Sequence, residues 1–194
     1  MKKTELKCET LKIMDYYYYK IFNTKYGNIL ILWKLKANIP KIYRIYLDKE
    51  KPVINNLLIN NKELSCNMID ETIKNINLYF SGKNITFKLD IIDLDICPDF
   101  QRKVILTEYN VPRGYISTYK KISTYLHNPN GCRAVGNALA KNPFPIIIPC
   151  HRAVKSDGTL GGYQGGIQMK HELLKMEGIN FNKNNKILFE NIYY

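Results

Sequence analysis

Ile146-Ile147-Ile148-Pro149-Cys150-His151-Arg152 is the stretch on which the whole reading turns. The isoleucines form an apolar run that reads as a buried, strand-like lead-in. Pro149 fixes the backbone next to the cysteine and contributes no N–H. A core run that stops at a proline and is followed by a Cys-His pair presents a thiol at the edge of a core. The thiolate is the nucleophilic form of cysteine, and a free thiol with a pKa of about 8.5 is mostly protonated at neutral pH. Cys150 therefore needs a nearby base or cation. Adjacent residues of an extended chain face opposite ways, so spacing alone does not bring His151 onto Cys150. The plainer alternative makes Cys150 a small buried hydrophobe and His151 its satisfied polar neighbour.

Outward from this stretch, residues 98 to 141 read as three helices. Phe100, Val104, Ile105 and Tyr109 mark a first helix ending before Pro112. Pro112-Arg113-Gly114 is a turn. Ser117 or Thr118 caps a second helix that runs to about Leu126, with Ile122 and Leu126 inward. Asn128-Pro129 reads as an N-cap followed by proline at the first helical position, and the third helix runs to about Ala140 or Lys141. Two short helices joined by a tight turn have helix-turn-helix spacing. On the third, Cys132, Val135 and Leu139 form the predicted core stripe. Arg133, Gly136, Asn137 and Ala140 form a second stripe at i, i+3, i+4 and i+7. That stripe is smooth and singly charged, suited to close approach by another backbone, be it a helix or a nucleic acid. Gly178 reads as a helix C-cap, so Glu177 falls in the last turn, where a carboxylate opposes the helix dipole. It is either a solvated acid beside Lys175 or a residue kept there for function.

Several separated segments now line up with one family. Arg133-Ala134-Val135-Gly136-Asn137-Ala138, then Asn142-Pro143, then Ile148-Pro149-Cys150-His151-Arg152 resemble the active-site signature of the O6-alkylguanine-DNA alkyltransferases. Gly162-Tyr163-Gln164-Gly165-Gly166, with Lys170, Leu173, Leu174, Glu177 and Gly178, resembles the family's segment on the C-terminal side of that signature. The resemblance spans about residues 98 to 180. It implies that Cys150 accepts an alkyl group from guanine O6 as a thioether, with His151 acting through water as base and Glu177 orienting it. It implies that Asn142 ties the recognition helix to the active-site segment. Because the target atom lies inside the duplex stack, the nucleotide must be turned out. Arg133 then fills the gap, Tyr119 helps expel the nucleotide and bonds the base, and Gly136, Asn137 and Ala140 lie along the DNA minor groove. Lys170 is expected at the DNA backbone. Tyr119, Ala153, Tyr163, Gln164 and Gly165 are expected to line the base pocket, with the carbonyls of Cys150 and Ala153 accepting from the base amino group. Ala153 stands where a larger aliphatic is usual, and Gln164 replaces a small pocket residue. Arg152 is read as braced by a carboxylate or by backbone carbonyls. No cofactor or metal is implied. The partner is double-stranded DNA containing O6-alkylguanine, with no membrane partner, and the protein is expected to act as a monomer.

The first ninety residues carry no catalytic signature. Tyr16 to Phe22, Ile29 to Leu35 and Ile39 to Leu47 are β-rich runs, broken at Tyr26-Gly27-Asn28 and at Ala37-Asn38, and predict an antiparallel meander. Pro40 belongs at a strand start or on an edge. Residues 48–64 read as a polar loop. Met68, Ile69, Ile73, Ile76 and Phe80 predict an amphipathic helix that Gly82 stops. Residues 83–97, with Asp90, Asp93 and Asp95, read as an acidic solvated connector. The expected architecture is α/β with two domains. Residues 1–92 form a small antiparallel sheet with a helix, 93–97 a linker, 98–182 a mostly helical domain with the helix-turn-helix and the active-site cysteine, and 183–194 a tail.

The 194 residues carry 29 Lys+Arg against 17 Asp+Glu, a formal net charge of +12. That points to a polyanionic partner, nucleic acid ahead of a membrane surface. The 5 cysteines, Cys8, Cys66, Cys97, Cys132 and Cys150, are odd in number and contain no C-x-x-C pair. This argues against a disulfide framework or a finger-type zinc site and fits a reducing compartment. There is no signal peptide and no membrane-length apolar segment, so the protein is expected in the cytoplasm, or in the nucleus of a eukaryotic cell. Three readings compete: a self-consuming alkyltransferase, a DNA-binding damage sensor without chemistry, and a cysteine hydrolase built on Cys150, His151 and Glu177. One permanent modification per molecule, binding alone, or turnover would separate them.

Overall fold

The computed structural model describes residues 17–48 and 62–194. Cys8, Tyr16 and most of the expected 48–64 loop lie outside the described residues. Two compact units divide between Asp93 and Leu94.

The first unit is built on a sheet of order β3-β2-β1-β4. Strands β1 (Tyr18–Thr24), β2 (Gly27–Lys36) and β3 (Ile39–Tyr46) form the antiparallel meander. Ala37 and Asn38 have φ of 49° and 63°, the left-handed pair that a two-residue hairpin needs to match strand twist. Pro40 sits near the start of the edge strand, where its missing N–H costs no interior ladder bond. Strand β4 (Lys62–Glu63), at the end of the stretch expected to be loop, pairs in parallel with β1. Trp33 is fully buried in β2, and its Nε1 donates to the Leu64 carbonyl at 3.1 Å. Helix α1 (Asn67–Phe80) buries Ile69, Thr72, Ile76, Tyr79 and Phe80, so its inner face runs through Thr72 and not Ile73. Gly82 follows at φ 93°, closing the helix as expected.

The acidic connector is not solvated throughout. Asp93 is buried, accepts from Lys36 Nζ at 2.7 Å, and its N–H donates to the Ile42 carbonyl at 2.9 Å. The backbone bond draws this acid against the sheet, where the lysine compensates its charge.

The second unit holds α2 (Asp99–Tyr109), β5 (Ser117–Thr118), α3 (Tyr119–Tyr125), α4 (Cys132–Ala140), β6 (Ala153–Val154) and α5 (Gly166–Met176). Thr118 caps α3, its Oγ1 accepting from Lys121 N at 3.1 Å. Asn128-Pro129 does not start α4. Asn128 and Gly131 close a turn, Gly131 N donating to the Asn128 carbonyl at 2.9 Å, and Gly131 is the N-cap. The Ser123 hydroxyl also binds that carbonyl, which fixes Asn128 in the turn. Strands β5 and β6 pair in parallel, Ser117 opposite Ala153. Ile116, Val154, Leu160, Leu174, Ile179 and Ile187 pack into one core. The C-terminal residues dock on this unit: Ile116 N donates to the Asn191 carbonyl at 3.0 Å, Tyr193 N to the Ile116 carbonyl at 2.8 Å, and the Tyr194 hydroxyl to the Thr107 carbonyl at 2.9 Å.

Candidate active site

The lead-in to the cysteine is buried, but it is no strand. Ile146 takes φ 75°, a conformation that a β-branched side chain rarely adopts. Ile148 N donates back to the Phe144 carbonyl at 2.8 Å. Pro145 and Pro149 on either side contribute no N–H, which cuts short any ladder the isoleucines could extend, and the run folds back on itself. It ends in a 3-10 turn, Cys150–Arg152, with all three side chains buried. The turn, unlike an extended chain, lets neighbouring side chains serve one site.

Asn142 is the hub beneath that turn. Its Nδ2 donates to the Ile148 carbonyl at 3.2 Å, and its Oδ1 accepts from Phe144 N at 3.0 Å. The same side chain hydrogen-bonds Cys150, which favours the thiolate. The opposing influence is larger. Burial pushes the Cys150 thiol up to about 11, while the Asn142 bond and the Lys170 charge pull it down. The resting residue is a thiol and must be activated on site.

His151 is fully buried, and its Nε2 lies 3.3 Å from Glu177 Oε1. A carboxylate there makes Nε2 the proton-bearing nitrogen and leaves the lone pair on Nδ1. Burial lowers the imidazole's pKa below its ordinary value, against the pull of Glu177, so the ring is neutral and basic. Arg152 grips the same carboxylate bidentately, Nε to Oε2 at 2.9 Å and Nη2 to Oε1 at 2.6 Å, and its Nη1 donates to the Val111 carbonyl at 2.5 Å. Burial alone would raise the Glu177 carboxyl; His151 and Arg152 overcome it and hold the group well below the usual range. Both parts of the expectation for Arg152 hold: a carboxylate and a carbonyl brace it. Glu177 lies just beyond α5, and Gly178 follows at φ 91°.

Lys170 overturns its expected place at the DNA backbone. It is 0% exposed on α5, and its Nζ donates to the Ala153 carbonyl at 2.6 Å, to Gly162 O at 3.4 Å and to Tyr119 Oη at 3.5 Å. Held by carbonyls in the interior, the ammonium does not reach a solvent-side phosphate. Burial pushes its pKa down to about 8, against the attraction of Cys150 and Glu108. Tyr119 also rests against the loop, for a Cβ built on Gly161 would lie 2.7 Å from the Tyr119 hydroxyl. Burial, with the nearby thiol, pushes the Tyr119 phenol up to about 12, so it remains a proton donor. The Ala153 carbonyl holds Lys170 and retains a second lone pair. Tyr163 stands edge-on to His151, ring centroids 6.2 Å apart. Gln164, which stands in place of a small pocket residue, sends its amide to the end of α4, donating to Ala140 O at 2.9 Å and Asn142 O at 2.8 Å. Gly165 is the N-cap of α5.

On α4 the buried face is Val135, Ala138 and Leu139. Cys132, expected on that face, is exposed, because the helix begins with it and its first turn stands clear of the core. Arg133, Asn137 and Ala140 are exposed and Gly136 half-exposed. A Cβ on Gly136 would meet nothing within 4 Å, so this stripe is open, as close contact with another molecule requires.

Glu108 went unread in the sequence. On α2 it shares the buried stripe with Val104, Ile105 and Thr107, while Phe100, expected inward, is 39% exposed. The available signal was an acid three residues after Ile105 and four after Val104, inside an apolar helical stripe.

The 6-O-methylguanine DNA methyltransferase DNA-binding domain model matches residues 99–179. The methylated-DNA–protein-cysteine methyltransferase of Methanothermobacter thermautotrophicus is 38% identical over 112 residues, covering 58% of this chain and 62% of the relative. That of Methanosarcina acetivorans is 32% identical over 164 residues, covering 83% of this chain and 98% of the relative. Among solved structures, Mycobacterium tuberculosis OGT in complex with DNA superposes with a TM-score of 0.67 at 26% identity, over 83% of this chain and 93% of that one. Among the described residues no helix is long and apolar enough to cross a membrane.

Proposed function

The chain belongs to the methylated-DNA–protein-cysteine methyltransferases, and from that premise we propose that it repairs duplex DNA by moving the alkyl group of O6-alkylguanine, chiefly O6-methylguanine, onto its own Cys150. The observation that carries the reading is the buried His151–Glu177 pair, His151 Nε2 at 3.3 Å from the carboxylate, with Cys150 beside His151 in one buried turn. Neutral His151, with the lone pair on Nδ1, takes the thiol proton through a water molecule. Lys170 and Asn142 favour the thiolate that results. The sulfur attacks the alkyl carbon; the C–S bond forms as the C–O6 bond breaks, and the electron pair passes into the guanine ring. Tyr119 supplies a proton to the departing base. The product is a thioether, and a thioether offers no leaving group that water displaces, so each molecule acts once.

The target lies inside the stack, so the nucleotide must be extruded, at a cost of a few kcal/mol. Arg133, exposed on the second residue of α4, fills the vacancy, and the open stripe of Gly136, Asn137 and Ala140 lies along the minor groove. Tyr119, Ala153, Tyr163, Gln164 and Gly165 wall the pocket. The odd number of cysteines and the lack of a C-x-x-C pair support a reducing compartment that holds DNA, the cytoplasm or a eukaryotic nucleus, where the protein works as a monomer.

The test is intact-protein and peptide mass spectrometry after mixing with a duplex carrying one O6-methylguanine. The expected result is a gain of one CH2 unit on Cys150. No gain together with tight binding would overturn the chemistry in favour of a damage sensor.

A further inference from the structure

Glu108 is fully buried on α2, and its Oε2 accepts from the Ser117 hydroxyl at 2.7 Å. Its other oxygen is buried without a hydrogen-bond partner among the described residues. A carboxylate in a dry core with one oxygen bare is the costliest form of that side chain. A protonated carboxyl asks less and suits Ser117 as donor or acceptor.

Across the parallel pair, Ser117 lies opposite Ala153, and the Ala153 carbonyl holds the Lys170 ammonium. Lys170 thus sits among carbonyls and a phenol, with no carboxylate bonded to it among the described residues. Two acids face this one buried cation, the Cys150 thiol and the Glu108 carboxyl. Lys170 favours the ionised form of each, and Glu108 opposes ionisation of Cys150. Arg152 and Glu177 also face Glu108, with opposite signs, and Glu108 in turn faces Tyr119 and Tyr194.

We propose that Glu108 is a positioning residue for the alkyl transfer described above: while protonated it leaves the Lys170 charge to the Cys150 thiolate, and when ionised it takes that charge away. The inference rests on Cys150 being the acceptor. Burial pushes the Glu108 carboxyl up to about 8, so the change falls just above neutral pH. It acts against the thiol's own tendency to become more reactive as pH rises, so reactivity levels off where an ordinary thiol keeps gaining.

The experiment compares wild type with Glu108→Gln, whose amide is neutral at every pH and still accepts from Ser117. The rate of Cys150 alkylation by iodoacetamide, without DNA, is measured from pH 7 to 9 by peptide mass spectrometry. At one unit above its pKa about a tenth of a group stays protonated. The ratio of the rate at pH 9 to that at pH 7 is therefore expected to be about tenfold higher in E108Q. Deprotonation of Lys170 sets in earlier in E108Q, which lacks the Glu108 charge that helps to keep the ammonium protonated; it works against the expected rise in the ratio and so does not produce it. Equal ratios would overturn the proposal, as would a uniform loss at all pH values, which a merely structural role predicts. Should E108Q fail to fold, Ser117→Ala removes the bond that lowers the Glu108 pKa and should move the plateau to higher pH; an unmoved plateau would again overturn it. Wild-type protein mixed with the O6-methylguanine duplex runs in parallel. Absence of CH2 on Cys150 there sinks the alkyltransferase reading by itself, whatever the iodoacetamide profile.

Discussion

At the scale of single residues, the site is a set of buried charges held by few partners. Replacing Glu177 with Gln removes the carboxylate that the buried Arg152 guanidinium grips through Nε and Nη2. Removing one partner of such a pair costs about 3 kcal/mol or more, to be read as a drop in the urea midpoint, along with loss of alkyl transfer. Gly161→Ala places a methyl against the Tyr119 hydroxyl at a position of φ +71°, so transfer should slow while DNA binding holds. The two buried acids tilt the pH dependence of stability in opposite directions. Glu177 has a depressed pKa, so its contribution is present above its unfolded value and is lost as pH falls. Glu108 is raised from 4.5 to about 8. Its folded form keeps a proton that the unfolded chain has lost, so its contribution is complete below pH 4.5 and disappears as pH rises through 8. Chemical unfolding at pH 5 and pH 9 should show a smaller loss of stability in E108Q than in wild type. Equal losses would mean that Glu108 ionises in the fold as it does in water.

At the scale of elements, the end of α4 is secured from two sides by glutamine amides. Gln101 Nε2 donates to Ala138 O at 3.1 Å and Lys141 O at 2.9 Å, and Gln164 takes Ala140 O and Asn142 O. Each satisfies carbonyls that a helix terminus leaves open. Gln164→Ala should lower stability by about 1–2 kcal/mol and also alter transfer, since it frees the pocket loop; Gln101→Ala should lower stability alone. Thermal unfolding and single-turnover rates separate the two. The helices were legible because Val104, Ile105, Val135 and Leu139 repeat at helical spacing. The hairpin at Ala37-Asn38 was legible because a tight turn sits between two apolar runs. The start of α4 was not, because Asn128-Pro129 carries a strong local start signal that a serine hydroxyl and a turn override. The fold-back before Cys150 was hidden for a related reason: three isoleucines favour a strand locally, and the flanking prolines together with the Asn142 hydrogen bonds bend them. Lys170 was misplaced because a lysine's ordinary home is the surface, and no spacing rule reveals that a carbonyl of β6 and one of the loop before α5 meet its ammonium.

At the scale of the whole molecule, the excess of positive charge governs how the protein finds DNA. Binding to undamaged duplex should weaken steeply with salt as phosphate contacts release counterions; a flat response in a filter-binding titration would argue against a nucleic-acid partner. Arg133→Ala should slow repair of the duplex far more than reaction with free O6-methylguanine base, which needs no extrusion. Equal slowing would deny Arg133 its place in the stack. Exposed Cys132, next to Arg133, offers a reporter: it should react with maleimide before Cys66, Cys97 and Cys150, and duplex DNA should shield it.

A molecule that works once depends on staying chemically sound while it waits. Asparagine side chains age by deamidation, when the N–H of the next residue attacks the side-chain amide and closes a ring. Asn142, on which the loop, Cys150 and the end of α4 all lean, is followed by Pro143, which has no N–H to attack with. Its amide is also out of contact with water, at 0% exposure. The most heavily used asparagine in the site is thus the one least able to age, and stored protein should keep its titre of reactive thiol long after its exposed asparagines have begun to turn acidic.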